Sequence, residues 1–178
     1  TALPLPKSVT TIGEKAFYRC TGELTVNCPI SSAMFSENGA FYNSSFTKVI
    51  IGEGVTSIGG SVFYECSSLT SVTIGDSVTS IGYSAFENCS SLISITIPET
   101  ITTIGNDAFY GCTSLVNLYV SDLSSWCNIE FQYDSEYEDG VTDYYCSSNP
   151  IYYADNLYVN SVLVTDLVIP EGVSDWSS

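Results

Sequence analysis

Apolar residues return along this chain with a long beat and a short one. The long beat is 23 residues: Ile58-Gly59, Ile81-Gly82 and Ile104-Gly105 stand 23 apart, and an Ala/Val-Phe-x-x-Cys echo travels with them. The short beat is alternation. Leu69/Val72/Ile74, Leu92/Ile95/Ile97 and Leu115/Leu118/Val120 share one phase, the last two of each set alternating with polar residues as a half-buried strand requires. Val55/Ile58, Val78/Ile81 and Ile101/Ile104 follow as a second apolar pair and predict a second extended side. Val62-Phe63, Ala85-Phe86 and Ala108-Phe109 then lead to Cys66, Cys89 and Cys112, a spacing that suits one short helical or 3₁₀ turn. A unit this short cannot bury its own apolar face, so the copies must stack into one continuous core, a solenoid.

Upstream, Ile12-Gly13, Ala16-Phe17 and Cys20 keep the register, and Ile12 lies 46 residues before Ile58, room for one more copy. Ala40-Phe41-Tyr42 with Phe46, Val49 and Ile51 supplies it, one residue short and lacking the cysteine, and Gly22–Asn27 reads as its strand. Downstream the rhythm breaks after Val120 and resumes at Leu167–Val173, which is similar to Val49–Val55. The reading is therefore a single repeat domain over residues 1–178: coils at 1–120, an insertion at 121–166, and the start of a further coil at 167–178. In the insertion, Trp126–Phe131 carries alternating apolar residues, and Asn156–Val164 predicts a β-hairpin turning at Asn160-Ser161, since Asn tolerates the left-handed conformation. Tyr152, Tyr153, Leu157 and Tyr158 are expected to pack this hairpin against the last coil. A solenoid needs caps at its ends, so the chain reads as a piece of a longer array or as one capped by Trp176.

The pattern L-x-x-[VI]-x-[IV]-[GP]-x-x-[VI]-T-x-I-G-x-x-[AV]-F-x-x-C resembles the BspA-type leucine-rich repeat family. The likeness runs from Val9 to Val120 and returns at Leu167, and the segment Asn149–Val173 is similar to the inserts that interrupt such arrays. The resemblance implies a leucine-rich-repeat right-handed solenoid of short parallel strands with short helical or 3₁₀ returns. It also implies secreted or surface-anchored proteins with adhesion or binding roles, and no catalytic residue to carry over.

Charge narrows the choice of partner. The chain has 20 acidic and 4 basic residues and no histidine, a formal net charge of -16, and its bases are Lys7, Lys15, Arg19 and Lys48. Nucleic-acid binding rests on cationic contacts to phosphate, so this balance excludes it as a partner, and anionic membranes are disfavoured for the same reason. Ser, Thr and Gly interrupt every apolar run, which predicts no membrane insertion, and no signal peptide opens the chain, as in a mature or trimmed fragment of an exported protein.

Seven cysteines bear on the compartment. Cys66, Cys89 and Cys112 share one column, where a small side chain facing the core suits packing, so a buried ladder of free thiols is expected, with Cys20 in the same column. Cys28, Cys127 and Cys146 fall outside it; a Cys127–Cys146 bridge would pin the insertion, and free thiols fit as well. No C-x-x-C pair and no histidine point to zinc, and no cofactor is called for.

Without histidine the chain cannot build a Ser-His or Cys-His nucleophilic pair. Gly52-Glu53-Gly54 lacks the lysine of a phosphate loop and reads as a turn after a strand. Glu130, Asp134, Glu136, Glu138, Asp139 and Asp143 crowd a polar segment with no sign of the burial that a carboxylic acid catalyst needs, so no enzymatic role is assigned. Asp134–Gly140 is loosely like a calcium loop, but its glycine comes one residue late and Tyr145 stands where the closing glutamate belongs; a solvated acidic loop is the simpler reading.

Binding is left to two surfaces. With Leu69, Val72 and Ile74 inward, the strands present outward columns Lys48/Ser71/Ser94/Asn117 and Ile50/Thr73/Thr96/Tyr119, a hydroxylated sheet whose plain reading is a solvated face. Asp134, Glu136, Tyr137, Glu138, Tyr144 and Tyr145 form the second, an acidic and aromatic loop expected to contribute more than the columns do. The functional expectation is a non-catalytic, secreted or cell-surface binding module for proteins of a host or neighbouring cell, or for glycans. The alternative is a spacer that projects another domain.

Overall fold

The structure is a computed structural model that describes residues 2–30, 38–132 and 149–165. Leu69, Leu92 and Leu115 lie in one buried row, as do Val72/Ile95/Leu118 and Phe63/Phe86/Phe109, so the stacked-coil reading holds. The chain winds as a parallel-strand solenoid of about five turns with very little helix. One strand per turn builds the first sheet: β1 (Ala2–Leu5), β2 (Thr21–Val26), β3 (Ser45–Ile51), then β5 (Ser71–Ile74), β7 (Ser94–Ile97) and β9 (Asn117–Val120), all parallel. The second extended side is a narrower sheet of β4 (Ser57–Ile58), β6 (Ser80–Ile81), β8 (Thr103–Ile104) and β10 (Glu130–Phe131). Between sheets, threonines fasten one turn to the next: the Thr70, Thr79 and Thr102 hydroxyls donate to the carbonyls of Thr47, Thr56 and Thr79, each 23 residues back. That bond gives the recurring Thr its physical reason.

The return combines two hydrogen-bond sets. Within it, Cys66 N–H donates to Phe63 and Cys89 N–H to Phe86, the i to i+3 closure that the spacing predicts. Interleaved with these, the amides of Ser61, Phe63 and Glu65 donate to Tyr83, Ala85 and Glu87 on the next turn. Alternate amides can point in opposite directions because the three regular returns each hold two residues at positive φ: Ser61 and Glu65, Ser84 and Asn88, Asp107 and Gly111. The result is a dense column of turns. Its tight approach also explains the Ile-Gly pairs, since a Cβ built on Gly82 would stand 2.5 Å from the Gly60 nitrogen.

Two features of the interior go beyond the sequence reading. Phe17, Phe41, Phe63, Phe86 and Phe109 stack in sequence with centroids 5.0, 4.9, 5.3 and 5.6 Å apart. The thiol column is free and buried, and it has a hydrogen-bond logic: Cys66, Cys89 and Cys112 Sγ donate to the carbonyls of Phe41, Phe63 and Phe86, each one turn back. The coil that lacks cysteine places Ser44 in the column instead, buried and 3.3 Å from Cys66 Sγ. Its small polar side chain serves in the same place.

The stretch where the sequence loses its rhythm still pairs with both sheets. A five-residue helix, α1 (Leu123–Cys127), is capped by Asp122, whose carboxylate accepts from Ser125 N–H and Oγ. It leads into β10, where Phe131 pairs with Ile104 and its ring meets buried Trp126 edge-on at 5.4 Å. After a 3₁₀ turn at Pro150–Tyr152, β11 (Asn156–Val159) pairs in parallel with β9, so Asn156 takes the place after Asn117 at a separation of 39 residues. The expected hairpin is present: β12 (Val162–Leu163) runs antiparallel to β11, and Asn160 and Ser161 turn at φ 49° and 64°. The predicted coil at Leu167–Val173 lies outside the described residues.

Candidate functional site

The strand registers decide where the candidate residues stand. Lys48, Ser71, Ser94, Asn117 and Asn156 are successive partners, as are Ile50, Thr73, Thr96, Tyr119 and Tyr158, so both expected columns exist and each gains a member from β11. At about 4.8 Å per strand, the rungs from β5 to β11 span roughly 14 Å. No charged residue occurs in either column along them, although the chain carries -16 overall. Asn156 Nδ2 donates to Asn117 Oδ1 at 3.0 Å, and the Tyr119 and Tyr158 rings stack at 4.7 Å. The face thus runs from small hydroxyls at one end to amides and paired phenols at the other.

Tyr158 corrects an expectation. Leu157 and Tyr153 pack against the core as predicted, but strand alternation turns Tyr158 to the outer column, and Tyr152 is 58% exposed. Asp134, Glu136, Tyr137, Glu138, Tyr144 and Tyr145, and with them the calcium-like loop, Asp139, Asp143 and Cys146, lie outside the described residues. Cys127 is a free thiol.

The return carries a second column, marked in the sequence by Phe-Tyr dipeptides. Tyr18, Tyr42, Tyr64 and Tyr110 each follow a ladder phenylalanine directly, and alternation sends the phenylalanine inward and the tyrosine outward. Tyr18, Tyr42 and Tyr64 stack at 5.8 and 6.0 Å, with Arg19 over the Tyr18 ring and Lys15 over Tyr42. Glu87 occupies the column between Tyr64 and Tyr110, where burial, with the charges of Asp107 and Glu65, raises its carboxyl above the usual range against a hydrogen bond from Ser84.

Two thiols of the column, Cys89 and Cys112, are chemically quiet by the same logic. Burial raises Cys89 well above its ordinary range and pushes Cys112 up to about 12, so neither is a thiolate near neutrality. Among the described residues no group of three or more acidic, cysteine or histidine side chains is placed to hold a metal. Among them, too, no helix is long and apolar enough to cross a membrane.

Six copies of the BspA type leucine rich repeat region match residues 1–116. The chain belongs to the BspA-type leucine-rich repeat family. Among solved structures, this BspA-type chain is similar to a leucine rich cell surface protein from Faecalibacterium prausnitzii A2-165, at 27% identity and TM-score 0.57, over 72% of this chain and 34% of that one. It also shares the fold of the T. pallidum leucine rich repeat protein, at 22% identity and TM-score 0.53, over 74% of this chain and 68% of that one. The BspA-type chain therefore spans about a third of the length of the F. prausnitzii protein. No curated protein matches it. Membership and neighbours support a repeat-based protein-interaction module, a class that is typically non-catalytic.

Proposed function

We propose that this chain is a non-catalytic binding module, secreted or held at a cell surface, that recognises proteins of a host or neighbouring cell and, through its hydroxyls and phenols, glycans. The observation that carries this reading is the uncharged sheet face from Ser71 to Tyr158, ending in the Tyr119–Tyr158 stack, on a strongly acidic chain. Paired phenols offer rigid contact area at low entropic cost, and tyrosine is among the residues that dominate interface energetics. The surface location rests on the family and on the F. prausnitzii cell surface protein.

Asp134–Tyr145 is the second contact of this proposal, since five acidic residues and three tyrosines crowd there. The test is interferometry against matrix proteins and glycans with three forms: the full chain, a deletion of 134–145, and Tyr119→Ala with Tyr158→Ala. Deletion is expected to weaken binding more than the tyrosine pair does; a deletion that keeps full affinity removes the loop from the reading. The uniform Ser71/Thr73 and Ser94/Thr96 rungs favour a second reading, a spacer. Absence of binding to every probe by the full chain would select it.

A further inference from the structure

The return side carries a surface that the sheet reading leaves unused. Tyr110 and Tyr152 are 47% and 58% exposed, and Ile151 beside them 37%. Tyr153 gathers them: its ring stands edge-on to Tyr152 at 5.1 Å, and its hydroxyl accepts from the Gly111 amide, next to Tyr110, at 3.4 Å. Tyr153 itself packs against the core, so the ring that Tyr152 stands against and the hydroxyl that ties in Gly111 are both held in place. One turn back in the column is Glu87, and the Asn88 amide beside it donates to the Tyr110 carbonyl at 2.7 Å. Asp107 completes the rim, held by Asn106 Nδ2 at 3.0 Å.

Charge chooses the occupant. After Lys48 the remaining 130 residues hold 17 acids and no lysine or arginine. A cation supplied by another molecule is what this rim lacks: Glu87 already bears a raised pKa, from burial first and then from Asp107 and Glu65. Arginine suits the patch better than lysine, because a planar guanidinium lies flat on a phenol ring while its fork meets a carboxylate, whereas an ammonium is a hydrated point charge. We propose that Tyr110, Tyr152, Glu87 and Asp107 form a docking surface for an arginine-rich segment of a protein partner. The surface lies on the return side, apart from the sheet, and stands or falls without it.

The probe is a short labelled peptide alternating arginine and glycine, with a lysine–glycine peptide of equal charge, followed by fluorescence anisotropy on the full chain. Tyr110→Ala with Tyr152→Ala is expected to weaken the arginine peptide about tenfold. The lysine peptide should bind several-fold more weakly to the native chain and lose that gap in the tyrosine variant. Glu87→Gln with Asp107→Asn should weaken the arginine peptide and flatten its salt dependence, while Tyr119→Ala on the sheet should change nothing. Equal affinity for the two peptides, or an unchanged affinity without the two tyrosines, would overturn the proposal and assign binding to diffuse negative charge. If the double variant melts early, Tyr152→Ser alone is read by the same two outcomes.

Discussion

Removing one ring from the phenylalanine ladder isolates what holds neighbouring turns together. Phe86 is wholly buried and stacks on Phe63 at 5.3 Å and on Phe109 at 5.6 Å, so Phe86→Ala empties a site walled on both sides by other turns. Truncating a buried phenylalanine costs about 3–5 kcal/mol, lost transfer plus residual cavity, and a turn gripped from both sides cannot collapse to fill it. Phe17 is the comparison: it is only partly buried, and it stacks on Phe41 at 5.0 Å and tilts against Phe46 at 6.4 Å with no ladder ring on its other side, which puts Phe17→Ala at roughly half that cost. With a urea slope of about 2 kcal/mol/M, the midpoint should fall by about 2 M for Phe86→Ala and about 1 M for Phe17→Ala, followed by far-UV circular dichroism. A central variant also cuts the array into two halves, so its transition should broaden or split. Equal shifts for the two, or a loss under about 1 kcal/mol at Phe86, would refute nearest-neighbour stacking as the source of cohesion.

Three further outcomes follow from single contacts. Gly82→Ala should destabilise by about 1–3 kcal/mol in thermal melts, since the new methyl meets backbone of the previous turn, whereas Gly13→Ala, with nothing within 4 Å, should be nearly silent. Stability should decline between pH 9 and 12: burial raises Cys112 from 9.0 to about 12, so above 9 the unfolded chain sheds a proton that the folded chain keeps. Urea midpoints at rising pH check this, and Cys112→Ala should fall less steeply than the native chain. Ser161→Gly should gain about 0.5–1 kcal/mol, because Ser161 turns the hairpin at φ 64° where glycine is unstrained; a lower melting temperature would contradict the turn assignment.

Much of this molecule was legible because each turn repeats the same solution. Leu69, Leu92 and Leu115 carry the same signal three times, and period-2 alternation alone turns Ser71 and Thr73 outward. What stayed hidden depends on contacts between turns rather than on patterns within one. Ser44 looks like an interruption in sequence, yet it follows Phe41 by the same three residues that separate Phe63 from Cys66, and it occupies the thiol column. Tyr158 reads as hairpin packing until the register with Tyr119 shows which side of the sheet it takes. The alternation of positive-φ residues in the return has no composition cue beyond Gly111, since Ser, Glu, Asn and Asp all serve there. Of the candidate site, alternation within the regular turns gives the sheet columns up to Asn117 and Tyr119, whereas Asn156 and Tyr158 join them only through the register of β11, and the Phe-Tyr dipeptides of the return gain meaning only beside the phenylalanine ladder.

The widened turn between β9 and β11 carries a practical lesson about grafting. Pairing survives although 39 residues separate Asn117 from Asn156, because matching rows on either side re-establish alignment whatever length the detour has. Closing a longer excursion costs only about 0.6 kcal/mol for each doubling. Foreign epitopes spliced at that corner should therefore be displayed from an undisturbed scaffold, and natural variation in cargo could accumulate at one bend while the stack beneath stays the same.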